Sequence, residues 1–467
     1  MDRNDRVIKT TIIYFMGNFA SKILGFILLP IYTAYLSSAD YGTVDILMSA
    51  LPLIAPIFTM QVTESVFRFL MTDETRDDRS KTFTNALAVF VFGLSVFAIL
   101  YFPIGIFLKF QYVFLFFVYF LATYLGIFLQ QVVRGLHRTV EYALSDFIFA
   151  AVNAILNIFL LIGPGLGGES LLISSIAGSL VISILMALRT KIWQYIDLKK
   201  ISKEEIKKQL KFGLPLIPTQ IAWWVIGLLG KYILISFHDA SDNGILAVTY
   251  KFPNLIILIN SIFLKAWIEN VITEFEAEDR DEFFNRGLTS FTVFTVSMTA
   301  CLLPAIKIYN LLTIGGEYKD AWIFVPLLMI GSSFNSLATF LGAVYTASMK
   351  TKIALITTMI SALCNVVLSF VLIPLFSIWG VALSNMISFA VLYFIRIKSV
   401  GNIINLKIDF PKLIPSLLLL MITLFVYYTL NIYWQIVAAG ILVLFTLYLN
   451  RNLVLHLWNY ARKNIKF

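Results

Sequence analysis

Charge is what this sequence has least of. Only 13% of its 467 residues are Asp, Glu, Lys or Arg, while 59% are hydrophobic, and the mean hydropathy is +0.85. That balance excludes soluble globular and disordered chains and leaves an all-α polytopic membrane protein. Cysteine is nearly missing too. Cys301 and Cys364 both fall in apolar spans, so a disulfide framework is excluded. The three histidines, His137, His238 and His456, sit at different span ends without ligand spacing, so no metal centre is expected. No H-E-x-x-H, G-x-x-x-x-G-K-[ST] or G-x-S-x-G pattern occurs, and the glycines at 163–168 follow no strand. No polar stretch is long enough for a nucleotide-hydrolysing domain. The chain therefore reads as a non-enzyme without a cofactor. Its first residues lack a signal-peptide cleavage pattern, so the first helix is expected to stay attached.

Long apolar runs are what the chain has instead. Fourteen segments, from 11–36 to 434–450, are long enough to cross a bilayer as helices. With the N-terminus placed inside, 28 Lys and Arg fall in the inner segments and three in the outer loops: Lys109, Lys307 and Lys319. This bias predicts both termini in the cytoplasm. The net charge of +9 is thus a topology signal and not the footprint of a nucleic-acid partner.

The chain also looks duplicated. SADYG at 38–42 has a counterpart in ASDNG at 240–244, an offset of 202. At an offset of 212, Asn153 falls on Asn365, Leu156 on Leu368 and Gly168 on Gly380. Each half begins inside, so the six-helix repeats are parallel, related by an axis along the membrane normal. The expected organisation is a first lobe at 1–190, a cytoplasmic amphipathic linker at 191–211, a second lobe at 212–398, and two further helices with a basic tail at 399–467. The linker's apolar side and lysines suit a helix on the anionic leaflet.

A few polar residues interrupt the apolar spans. In the first, Lys22 lies near mid-membrane, where a lipid-facing cation costs about 2.5–3.5 kcal/mol. Tyr14, Asn18, Lys22 and Gly25 recur at helical spacing and give one polar stripe. In the second, Glu64 and Arg68 stand four apart, as Lys265 and Glu269 do in the eighth. Read plainly, each is a neutralising i,i+4 pair. Lys251, Leu255, Leu258, Ile262, Lys265 and Glu269 of the eighth span share one narrow sector of a helical wheel, a face expected to meet water. Lys231 is expected to snorkel to the headgroups. Asp146, early in the fifth span, is either a proton or cation site or an interfacial cap. The asparagines at 153, 157 and 365 either line a cavity or bridge packed helices.

The run GNFASKILGFILLPIYTAYLSSADYG followed by VTESVFRF, with LIPLFSIWGVALSN at 372–385, resembles the polysaccharide (oligosaccharidyl-lipid) flippases of the multidrug/oligosaccharidyl-lipid/polysaccharide exporter superfamily. That resemblance implies alternating access between two six-helix lobes and a substrate of undecaprenyl-pyrophosphate-linked oligosaccharide repeat units. It also implies the cytoplasmic membrane as location, with a polysaccharide polymerase and glycosyltransferases as partners. Lys22 and Arg68 become cationic cavity positions, with Lys251, Lys265, Asn18 and Tyr14 as further substrate-binding candidates. Glu64, Asp146 and Glu269 are the coupling candidates for Na⁺, H⁺ or membrane potential, among which the residues do not choose. A lipid II flippase, a multidrug–cation antiporter and a membrane-embedded polysaccharide polymerase remain as alternatives. The first helix reads ASKILG, with no acid beside the cation, a departure from the lipid II flippases.

Overall fold

The computed structural model describes residues 24–107, 112–273, 275, 277–348, 350–407 and 409–450. Among these no strand occurs, and thirteen helices are long and apolar enough to cross a membrane. They correspond to the second through fourteenth expected spans, and the first span is described from residue 24 onward. The fold is an all-α polytopic one, as expected. The chain divides into two compact units, Met1–Trp224 and Val225–Phe467.

The first unit contains α1 Leu29–Tyr35, α2 Ser38–Phe58, α3 Val62–Leu70, α4 Arg76–Phe107, α5 Val113–Gly135, α6 Thr139–Ile162, α7 Glu169–Thr190 and α8 Lys203–Gly213. Helix α9, Ile217–Phe237, runs across the boundary. The second unit continues with α10 Ala240–Thr249, α11 Pro253–Thr273, α12 Arg280–Thr313, α13 Val325–Ala347, α14 Thr351–Phe376, α15 Ile378–Val400, α16 Phe410–Thr429 and α17 Ile432–Leu449.

The duplicated motif has a local job in both units. Ser37 accepts from Asp40 N to cap α2, and Asp239 accepts from Asp242 N to cap α10, satisfying amides that a helix start leaves unpaired. Both pairs obey the offset of 202. Within the first unit α7 packs on α5 and α6; within the second α15 packs on α13 and α14. The asparagines bridge these helices. Asn153 Nδ2 donates to Ser175 Oγ at 2.9 Å across α6 and α7, and Asn365 Nδ2 to Asn385 Oδ1 at 3.1 Å across α14 and α15.

Two expected spans are broken. The second, whose prolines at 52 and 56 were expected to bend or break it, is split into α2 and α3 by Met60 and Gln61, which have φ of 51° and 54°. Prolines at 52 and 56 already weaken the end of α2 by removing two donors. Residue 213 lies so close that a Cβ there would sit 2.5 Å from the Met60 carbonyl oxygen, so glycine lets α8 abut the break. In the eighth span, residues Tyr250–Phe252 form a turn and Pro253 opens α11, the first-turn position where its missing N–H is harmless. Lys251 therefore sits in the turn, out of helical register with Lys265 and Glu269. Leu258 of the supposed wet face is buried. The single continuous stripe is corrected to a broken helix.

The linker also departs from the expected long helix. Two short 3₁₀ turns, Ile192–Tyr195 and Leu198–Lys200, precede α8. Asp197 caps Lys199 N and Ser202 caps Glu205 N, each forcing an extended residue into the path. Side chains of α4 take up the backbone groups this frees. Ser80 and Thr84 donate to Tyr195 O, Asn85 Nδ2 donates to Lys200 O, and Ser202 N donates to Asn85 Oδ1. Farther along, Gln209 Nε2 donates to Thr82 O, and Ser65 Oγ to Gln209 O. The linker is fastened to the first unit, with Trp193, Ile196, Leu198 and Ile201 left exposed.

Candidate functional site

Helix α3 is short, follows a left-handed break, and carries Glu64 and Arg68. Broken membrane helices occur where backbone lines a cavity or protein interior. Glu64 is half-buried and Arg68 exposed. They form no ion pair with each other, so the expected mutual neutralisation is absent. The nine-residue α3 turns Arg68 outward while its neighbour Phe67 faces α5.

Phe67 meets a cation from the other side. The Arg134 guanidinium lies 4.1 Å from the Phe67 ring centroid and 5.8 Å from that of Tyr142. Gly135 makes this possible, because a Cβ there would fall 2.7 Å from Leu70 Cβ, forcing α3 and α5 apart. One turn earlier on α5, Gln130 Nε2 donates to Asp146 Oδ1 at 2.8 Å and Ser145 Oγ at 2.9 Å on α6. Asp146 is thus neither a helix cap nor an ion-pair partner. It is a membrane carboxylate held by a neutral amide and a candidate for protonation or cation binding.

In the same unit Asn157 Nδ2 donates to Tyr32 OH at 3.1 Å, and its buried Oδ1 has no hydrogen-bond partner. Outside the membrane, on the connection from α3 to α4, burial pushes the Asp73 carboxyl up. A hydrogen bond from Thr82 and the Lys208 charge oppose that rise in part.

In the second unit, Lys231 is corrected from a snorkelling residue to a buried one. It is 5% exposed, with Nζ 5.1 Å from the Tyr250 ring centroid, and Asn385 Nδ2 donates to Tyr250 OH. The lysine stem turns inward because aromatic and polar partners lie within the unit. Lys307, assigned to an outer loop, is buried at the end of α12, where Nζ donates to the Tyr427 and Leu430 carbonyls. Arg396, counted with an inner loop, is 4% exposed within α15.

Of the candidates, Glu64 and Arg68 share α3 without pairing, Asp146 lies on α6 against Gln130 of α5, and Lys251 sits in the turn before α11. Lys22, Asn18 and Tyr14 lie outside the described residues, as do the side chains of Lys265 and Glu269. Sequence reasoning missed Arg134 because it stood among the inner positive charges. The available signal was its position four residues after Gln130, on the face opposed to Asp146.

The fold resembles that of known transporters. The structure of the lipid II flippase MurJ in an inward closed conformation superposes with a TM-score of 0.75 at 17% identity, covering 95% of this chain and 100% of that one. An inward-facing multidrug resistance MATE family transporter of the MOP superfamily gives 0.67 at 13% identity, over 82% and 95%. A variant of a Vibrio cholerae MATE transporter gives 0.56 at 13% identity, over 85% and 97%. No curated protein matches. Residues 7–268, more than half of the chain, match the polysaccharide biosynthesis protein family. The chain belongs to that family, as a multi-pass membrane protein with the fold of the MOP superfamily transporters.

Proposed function

We propose that the protein is a flippase that turns undecaprenyl-pyrophosphate-linked oligosaccharide repeat units over the cytoplasmic membrane, by alternating access between two six-helix lobes at 1–190 and 212–398. The observation that carries the reading is Arg68. It is a cation at the end of a membrane helix in a polysaccharide biosynthesis family member, and its nearest candidate acid, Glu64, does not neutralise it. A cation left available suits an anionic pyrophosphate and is out of place in a site for cationic drugs. Lys22, with Tyr14 and Asn18 on its face, supplies a second positive group, and Lys251 and Lys265 supply others. Charge-assisted hydrogen bonds to phosphate are roughly twice as strong as neutral ones. Both termini lie in the cytoplasm, and a polymerase and glycosyltransferases act after and before this step.

Coupling draws on the membrane potential, about 2.3 kcal/mol per charge per 100 mV, or on a Na⁺ or H⁺ gradient acting at Asp146, with Glu64 and Glu269 as further candidates. Asp146→Asn then makes transport insensitive to the gradient; unchanged gradient dependence removes Asp146 from that role.

Deletion of the protein tests the whole reading. Complete lipid-linked repeat units should accumulate facing the cytoplasm, whereas unpolymerised units outside would indicate a polymerase. Full export by a Lys22→Ala variant places the pyrophosphate site elsewhere. A lipid II substrate is a second reading, supported by the full-length likeness to MurJ. It requires lipid II, not repeat units, to build up.

A further inference from the structure

Most arginines with described partners in this protein are spoken for. Arg396 is hydrogen-bonded through Nε, Nη1 and Nη2. Arg138 donates to Arg189 O and pairs with Glu141, and Arg280 and Arg286 pair with Asp281 and Glu282. Arg134 differs. Two aromatic faces hold its guanidinium in place, Phe67 from α3 and Tyr142 from α6, yet among the described residues it has no carboxylate partner and donates no hydrogen bond. Stacking on a ring engages the flat face of the guanidinium and leaves the N–H groups around its edge free. The result is a half-buried, oriented fork with nothing in its teeth.

We infer that Arg134 is an oxyanion-binding residue, which takes the pyrophosphate of the lipid-linked substrate at the end of α5 that the charge bias assigns to the cytoplasm. The fork of a guanidinium matches two phosphate oxygens at once, which a lysine ammonium cannot do. Phe67 and Arg68 are consecutive on α3, so the helix that steadies one cation carries the other. Gly135 fixes how closely that helix approaches. An ion-pair partner would have made Arg134 a structural cross-link; its absence keeps the donors for a ligand. This assignment rests on the pyrophosphate-linked substrate proposed above and names a specific contact within it.

The test uses the purified full-length protein in phosphatidylcholine nanodiscs, with farnesyl pyrophosphate and inorganic pyrophosphate as probes and the dissociation constant as readout. Wild type should bind farnesyl pyrophosphate, and Arg134→Gln should weaken it by roughly tenfold or more, the order expected for loss of hydrogen bonds to a charged group. Arg134→Lys keeps the charge and loses the fork, so it should fall between the two. Phe67→Leu, which removes the ring and keeps the arginine, should weaken binding less than Arg134→Gln. Equal affinity of wild type and Arg134→Gln overturns the inference and leaves the substrate reading standing if Lys22→Ala still abolishes export. Tighter binding of inorganic pyrophosphate than of the farnesyl compound marks a free-phosphate site and overturns the lipid-linked assignment. Failure of wild type to bind either probe defeats both.

Discussion

Arg396 and Arg134 carry the same group into opposite situations. Arg396 Nη1 donates to Ala338 O at 2.6 Å, Nη2 to Thr358 Oγ1 at 3.1 Å and Nε to Thr357 Oγ1 at 3.4 Å, and its guanidinium lies 5.9 Å from the Tyr345 ring. Neutral acceptors from α13 and α14 satisfy a charge that α15 buries, so its role is to lock three helices. Removing it leaves a cavity and orphaned polar groups, so Arg396→Ala should cost roughly 2–4 kcal/mol, seen as a lower thermal midpoint in detergent. Arg396→Met retains most of the volume and removes the desolvated charge, so its loss should be smaller. Equal midpoints for wild type and Arg396→Ala would contradict the locking role.

Asp73 gives a pH dependence of the less usual sign. Its carboxyl titrates above the ordinary range because burial disfavours the charge, and Oδ2 is buried without a partner. The folded protein therefore binds this proton more tightly than the unfolded chain, whose carboxyl titrates at about 3.9. The stabilisation is complete below that value and is lost as pH rises through the raised native one. Asp73→Asn should gain thermal stability relative to wild type as pH increases from acid toward neutral; a gap independent of pH would refute the assignment. None of this was legible in the sequence. Asp73, Arg134, Lys231 and Arg396 look like ordinary loop or interfacial charges until the partners that bury or free them are placed, and those partners come from other helices.

At the scale of elements, apolar length was enough to locate the spans, because a bilayer sets how long such a run must be. What hydropathy does not reveal is where a span breaks. The α2–α3 break depends on Gly213 approaching Met60, 153 residues away in sequence, and the linker's turns depend on Asn85 and Thr84 competing for its backbone groups. The local signals are the prolines, Pro52 and Pro56 ahead of the first break and Pro253 at the second.

The final pair of helices shows another tie that is invisible in the sequence. Lys307 donates to the carbonyls of Tyr427 and Leu430 at the end of α16, where a cation meets unpaired helix carbonyls, and packs on Trp322 and Tyr427. Gln435 of α17 donates to Val426 O, and Tyr427 and Tyr428 donate to the Trp322 and Ile323 carbonyls. This cluster fastens α16 and α17 to the second unit. Lys307→Met should speed amide hydrogen exchange across the last turn of α16 and leave α13 and α14 unchanged. Identical exchange in α16 would mean that the tyrosines alone hold it.

For the whole molecule, duplication and charge bias act together. A repeat of six helices that begins inside returns inside, so a parallel duplication reproduces the same orientation, and the caps of Ser37 and Asp239 at matching positions support one ancestral unit used twice. Two added helices, α16 and α17, again bring the chain back to its starting side. The buried positions of Lys307 and Arg396 withdraw one charge from each side of the 28-to-3 bias, and the asymmetry stays decisive because the linker alone contributes eight cations at 189–211. Both termini are therefore expected in the cytoplasm after fourteen crossings. An alkaline phosphatase fusion after Asn431, between α16 and α17, should be active, since the enzyme needs the oxidising outer side. A green fluorescent protein fusion at Phe467 should fluoresce, since that fold matures inside. The reverse pair of results would invert the orientation and move Arg134 and Arg68 to the outer face, where they would meet substrate leaving the protein instead of entering it. Activity at both positions would mean that one of the last two helices does not cross.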